Sequence, residues 1–334
     1  MMKELIQGFP AQLKESLEIA ANAKLSKAKA PIHNVVIAGM GGSGIGGSLI
    51  KAFTGNEINV PVDVCKSYDV SAYINANTLF IACSFSGNTE ETLSAVEKAK
   101  AQGAQIVAIT SGGKMGQFVA ANGYDSISIP GRSNSPRASI GYSLVQLFLI
   151  LHHHGLIPSN HFDEVRASAE LLEKESADIH AKAHQLSAFF ANKLPILYGD
   201  TRLEAVLVRT QQQIAENAKQ LSHVNIIPEM NHNELVGWKF ADVVFKNAAT
   251  VLLRTDYDHP RTKIRMDVCK KIFEKVAGEV IELYSKGNSF VEQSIYLINV
   301  LDWVSFYLAE ANQVDPFPVD VINYLKDELS KVGN

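Results

Sequence analysis

The sequence predicts an α/β protein built of two doubly wound, mainly parallel sheets with flanking helices. Three observations carry that expectation. Short, continuous apolar runs alternate with helical stretches along the chain, as they do when strands are buried on both faces and joined by helical crossovers. Hairpin signals between those runs are few. The order strand, loop, helix recurs in the second half of the 334 residues, a length sufficient for two domains with sizeable cores.

Taken in order, residues 1–30 are expected to form an N-terminal helical segment, amphipathic and interrupted near Pro10. The segment has no apolar signal-peptide core. A first domain is expected over 31–155. There, a strand at 35–39 feeds the glycine run GMGGSGIGGS, and a helix takes over at 48–53. Strands follow at 60–65 and 78–83, the latter ending in the loop SFSGNT. A helix at 90–101 turns at Gly103 into a strand at 105–110. A weaker strand at 126–129 precedes the loop GRSNSPRAS and a long apolar helix running to Leu151. Residues 156–192, rich in Ala, Glu, Lys and His, read as a helical connector. The second domain, 193–334, restarts with strands at 195–199, 224–227, 249–254 and 279–283. Its helices fall at 202–218, 261–276 and 290–311, with a further helix at the C-terminus.

Composition narrows the function. The net charge of −4 and the lack of a long basic run argue against a nucleic-acid partner. Cys65, Cys83 and Cys269 are odd in number and outside any CxxC pattern, which suits a reduced, cytoplasmic protein. The most apolar segment, 143–151, is too short to span a bilayer, so no membrane partner is expected.

Both special loops lie between a strand and the following helix, where ligands bind in open α/β sheets and where helix N–H groups attract anions. Gly39, Gly41 and Gly44 match G-x-G-x-x-G, and Asp63 or Asp69 lies at about the 20-residue distance of a ribose contact. A dinucleotide site is therefore a rival. The loop SFSGNTEET favours another ligand: Ser84, Ser86 and Thr89 place three hydroxyls just before a helix, which suits the oxygens of a phosphate monoester. Ordinary capping by Ser86, Asn88 or Thr89, with Glu90 and Glu91 beside the dipole, accounts for part of this pattern.

Together, AGMGGSGIGG, SFSGNTEET, SPRASIGYS and PEMNHNELVGW resemble the bifunctional phosphoglucose/phosphomannose isomerase family, which is built from two sugar-isomerase (SIS) domains. The resemblance spans nearly the whole chain. It implies an aldose–ketose isomerase that interconverts glucose 6-phosphate and fructose 6-phosphate, and mannose 6-phosphate too, through a cis-enediol. It also implies roles for particular residues. Gly42, Ser43, Ser84, Ser86 and Thr89 would hold the substrate phosphate. Glu216 would be the proton-transfer base, with Glu229 and Glu234 as alternatives. Arg137 would stabilise the enediolate, Arg132 being the other arginine of that loop. His232 would open the ring from across a homodimer interface, and Lys326 would join the site from the C-terminus. No cofactor and no metal is implied.

Other motifs have plainer explanations. His152, His153 and His154 are consecutive and cannot converge on one metal from a helix. His232 and Glu234 do not form HExxH. Residues 256–261, DYDHPR, read as a polar turn or as the border of a site. Two further function classes stay open at this point: a non-catalytic sugar-phosphate sensor, and an NAD-dependent dehydrogenase.

Overall fold

Continuous apolar runs become buried parallel strands, and the stretches between them become crossover helices. A computed structural model describes residues 1–133, 135–239 and 242–332. In chain order the elements are α1 (Met2–Gln7), α2 (Phe9–Asn22), β1 (Asn34–Ala38), α3 (Gly41–Thr54), β2 (Val62–Cys65), β3 (Thr78–Ser84), α4 (Glu90–Ala101), β4 (Gln105–Thr110), α5 (Gly113–Asn122), β5 (Asp125–Ser128) and α6 (Ile140–His153). They continue with α7 (Asn160–Lys174), α8 (Ser176–Phe190), β6 (Leu194–Asp200), α9 (Glu204–Ala218), β7 (His223–Ile227), α10 (Asp242–Lys246), β8 (Ala248–Arg254), α11 (Pro260–Ala277), β9 (Val280–Tyr284), α12 (Phe290–Ala311) and α13 (Asp320–Lys331).

Among the described residues the strands form two sheets, ordered β2-β1-β3-β4-β5 and β7-β6-β8-β9. Every pairing is parallel. Each sheet reverses its strand order once, between β1 and β3 and between β6 and β8. Such reversals leave a crevice beyond the strands' C-terminal ends.

Strand alternation divides the interior. Val35, Ile37, Leu79 and Ile81 of the first sheet share one core with Leu197, Val251 and Leu253 of the second. Val36, Phe80 and Ala82 face the opposite way, onto α4 and α5, and Tyr198 and Leu252 face α11. Between the sheets lies a helical layer in which α12 packs on α7, α8 and α9, and α3 packs on α6 and α9. α12 is buried around most of its circumference, as expected of a helix with no water-facing side.

Several elements differ from the expectation, α10 (Asp242–Lys246) among them. The first helical segment ends at Asn22, and the chain from 23 to 33 is not helical. α3 begins at Gly41 rather than near Ser48, so the glycine run is its first two turns. The sequence GKMGQFVAAN forms α5, which had not been expected. The connector is two helices, broken at Glu175.

Candidate active site

Two loops leave the adjacent ends of β1 and β3, where Ala38 pairs with Ala82. The first enters α3. Met40 is its N-cap without a side-chain hydrogen bond. Met40 O accepts from Ser43 N (3.0 Å) and Gly44 N (3.2 Å), which leaves the N–H groups of Gly41 and Gly42 without an intrahelical partner beside Ser43, which is buried. The second loop, 84–89, is folded against the β4–α5 turn. Phe85 O accepts hydrogen bonds from Ser111 N (3.1 Å) and Ser111 Oγ (2.6 Å), and Met115 N donates to Gly87 O at 2.8 Å. Gly87 has φ +71°, and a Cβ there would sit 1.8 Å from Gly112 O. Only glycine fits that position.

The hydroxyls of this loop are not used to cap α4. Thr89 occupies the N-cap position but makes no side-chain capping bond; it accepts a 3.0 Å hydrogen bond from Ser84 Oγ. Ser86 Oγ accepts from Asn88 N at 3.2 Å. Ser84 is buried, Thr89 half-buried and Ser86 exposed. Phosphate oxygens placed here would meet hydroxyls and the positive ends of two helices.

The short turn Pro136–Ala138 lies against α3, and it carries Arg137. Arg137 is 7% exposed and gripped on several sides. Nε donates to Asn217 Oδ1 (2.8 Å), Nη2 to the carbonyls of Pro316 (2.7 Å) and Phe317 (2.9 Å), and Nη1 lies 3.4 Å from Glu216 Oε2. Burial pulls the Arg137 pKa down, and the Glu216 carboxylate opposes that. Glu216 itself is in the last turn of α9, its side chain about a quarter exposed (28%). A cation and a partly open carboxylate thus meet at the rim of the phosphate-type loops. The pair is equipped to move a proton beside a developing negative charge.

Behind the pair stands a polar cluster that sequence reasoning missed. Asn217 Nδ2 donates to Ser305 Oγ (2.9 Å). Arg209 Nη2 donates to Arg137 O (3.0 Å) and pairs with Asp302 Oδ2 (2.7 Å). Gln213 Nε2 donates to the other Asp302 oxygen at 3.0 Å. Burial raises the Asp302 pKa, and Arg209 works against it. Two signals were available: a stripe Arg209, Gln213, Asn217 at i, i+4, i+8, and a carboxylate in the middle of an apolar helix.

Among the described residues, no hydrogen bond or ion pair joins the other candidates to the Arg137–Glu216 pair within one chain. His232 is exposed and ends the turn Glu229–His232, in which Met230 is buried. The two glutamates named as alternative bases have structural partners: Glu229 accepts from Asn233 Nδ2 at 2.9 Å. Glu234 accepts from Tyr198 Oη, Asn225 Nδ2 and His223 Nε2 (2.9 Å). Burial alone would raise the Glu234 carboxyl, but those hydrogen bonds bring it down to about 2. Lys326 is exposed on α13, a helix with no buried residue. Arg132 pairs with Glu15 on α2. His152 and His153 bond different carbonyls, Ile157 O and Ser26 O. In the DYDHPR segment, His259 caps α11 and Asp256 bonds Gln293. Among the described residues, no group of three or more His, Cys, Asp or Glu is placed to hold a metal ion, and no helix is long and apolar enough to cross a membrane.

Paired parallel sheets with hydroxyl-rich loops at a switch point are the architecture of a double-SIS protein. Residues 24–136 match the SIS domain family and 179–329 the bacterial phospho-glucose isomerase C-terminal SIS domain. The chain belongs to the bifunctional phosphoglucose/phosphomannose isomerase family. It is 39% identical to the protein of that name from Caldicellulosiruptor bescii, over 99% of each chain. It is 34% identical to the one from Aquifex aeolicus, over 92% of this chain and 93% of that one. Among solved structures it is similar in fold to the C-terminal domain of glucosamine-fructose-6-phosphate aminotransferase from Francisella tularensis. That match has a TM-score of 0.76 and 14% identity, and covers 94% and 96% of the two chains.

Proposed function

We propose that the chain is an aldose–ketose isomerase interconverting glucose 6-phosphate and fructose 6-phosphate, and mannose 6-phosphate as well, through a cis-enediol. The observation that carries this is the Arg137–Glu216 pair, 3.4 Å apart, beside two loops built for a phosphate. Ser84, Ser86 and Thr89, with Gly42 and Ser43 at the start of α3, hold the 6-phosphate. Glu216 takes the proton from C2 of the open-chain aldose as the carbonyl electrons move onto O1. Arg137 stabilises the resulting enediolate oxygens. A proton passes from O2 to O1 across the enediol, and return of the carbon-bound proton to C1 as the carbonyl forms at C2 yields the ketose. The carbonyl moves and the sugar's overall oxidation state does not change, so the reaction balances without an external oxidant.

His232, from the partner subunit of a homodimer, opens the ring, and Lys326 joins the same closed site. Two features support a second copy. His232 is exposed, at the end of a turn anchored by buried Met230. In addition, α13 exposes Val321, Tyr324, Leu325 and Leu329 along one face, a stripe that an isolated chain leaves in water. The three free thiols suit a reducing cytoplasm, where the hexose phosphates of glycolysis and gluconeogenesis are found.

Coupled assays on fructose 6-phosphate and mannose 6-phosphate test the activity. Glu216→Gln should lower kcat by about 10²–10⁴-fold; near-parental turnover would remove Glu216 as the base. Glu216→Gln and His232→Asn homodimers, each inactive, should regain about a quarter of parental activity after subunit exchange, since heterodimers then hold one intact site. No recovery, with exchange verified, would place His232 in its own chain's site or outside any site.

A further inference from the structure

Lys219 follows the last residue of α9, three positions after Glu216. Its backbone is left-handed, φ +55° and ψ +35°, the conformation at which helix ends favour glycine or asparagine because a Cβ is crowded there. Among the described residues, only Asn192 and Gln313 are other non-glycine residues with positive φ. A lysine at such a position points to a use for its side chain.

That side chain turns back over the helix end. Nζ donates to the carbonyl of Glu216 and, at 2.6 Å, to that of Pro318. The two preceding carbonyls, Pro316 and Phe317, are those held by Arg137 Nη2. Two cations therefore grip the same three-residue strap from different elements, and Lys219 ties that strap to the turn bearing Glu216. Partial burial, and next the Arg137 guanidinium, pull the lysine's pKa below the usual lysine range, while Asp315, Glu216 and Asp320 oppose them. An ordinary lysine near a helix C-terminus would complement the dipole without a left-handed backbone or a second carbonyl.

We propose that Lys219 is a positioning residue for the isomerisation: it locks the Glu216 turn to the 316–318 strap, so that the Glu216 carboxylate and the Arg137 guanidinium are held in one fixed geometry. The inference rests on the assignment of Glu216 as the base. It adds a residue whose side chain acts on the transition state and not on phosphate binding, because loops 41–43 and 84–89 make no bond to it.

The test uses the full chain carrying Lys219→Arg, Lys219→Met or Lys219→Gly, with steady-state kinetics on fructose 6-phosphate and thermal melting. Methionine keeps the left-handed strain and removes the tether; glycine removes both. Both should lower kcat by about 10- to 100-fold, as expected for a small misplacement of reacting groups, and change KM by less than about threefold. Arginine should restore most of the turnover. Lys219→Gly should melt at a higher temperature than Lys219→Met and yet be no more active. Parental kcat in both variants would overturn the proposal, as would activity that follows melting temperature across the series. Glu216→Gln serves as the control in the same assay: if it keeps its turnover, the base assignment fails, whatever the lysine variants do.

Discussion

Gly42, in the first turn of α3, packs against the turn that carries Arg137. A Cβ there would lie 2.8 Å from Pro136 O and 3.4 Å from Arg137 Cα, and neither is the yielding tip of a side chain. Gly42→Ala should therefore cost about 1–3 kcal/mol of stability through overpacking and displace Arg137. Melting temperature and kcat should fall together, and an alanine variant with both unchanged would refute the contact. At this scale the resemblance named Arg137 and Glu216 as candidates, and they lie 3.4 Å apart, but nothing in the sequence pointed to what supports them. Arg137 stands in the short motif SPRASIGYS, whereas Glu216, in QIAENAK, reads on its own as a solvated helix-end carboxylate. The partners of Arg137 are at Asn217 and at residues 316 and 317, and only folding brings them together. Arg209, Gln213 and Asn217 look like a solvated stripe until Asp302 and Ser305 on α12 are seen to face them.

At the scale of elements, the turn that follows β7 is rigid on one side and open on the other. Glu234 receives hydrogen bonds from Tyr198, His223 and Asn225, and Trp238 Nε1 donates to Tyr198 Oη at 3.1 Å, while His232 is left facing outward. The pH dependence of this clamp follows from its two titrating partners. The Glu234 carboxyl is depressed to about 2, so its contribution is complete above the unfolded value of about 4.3 and is lost as pH falls towards 2. The hydrogen bond to Glu234 raises the His223 pKa, so its contribution is complete below about 6.5 and is lost as pH rises through the folded value. Amide exchange over residues 229–238 should thus be slowest between about pH 4.3 and 6.5, after correction for intrinsic exchange. Glu234→Gln should flatten that profile, and an unchanged profile would count against the clamp. The strands were legible because a parallel strand buried on both faces must be apolar throughout. The beginning of α3 was not, because six glycines in ten residues argue against a helix by propensity; here the need for close packing overrides it. α5 escaped notice because only Met115 and Val119 along it are buried, too few for a helical stripe.

On the scale of the molecule, the inner faces of both sheets and the helices between them form one apolar cluster. The buried Arg209–Asp302 pair joins α9 to α12 inside it. Two halves that share a core should not melt separately, although the sequence shows two repeats of the same plan. Calorimetry should record one transition with matching calorimetric and van't Hoff enthalpies; two resolved transitions would show that the halves are energetically independent. The pattern of strands and helices revealed the repeat. The sharing of one interior was hidden, because inner-facing and outer-facing strand residues are equally apolar.

The same shared interior has a consequence for synthesis. The inner face of β3 is complete once residue 84 has been made, but the helical layer that closes over both sheets lacks its largest member until residue 311. At ribosomal speeds of about 5–20 residues per second, roughly 10–45 s separate those two moments. Through that interval the growing polypeptide carries finished strands with no finished interior to put them in. Its greatest exposure to aggregation, and its strongest call on chaperones, therefore falls before release from the ribosome, not during its working life.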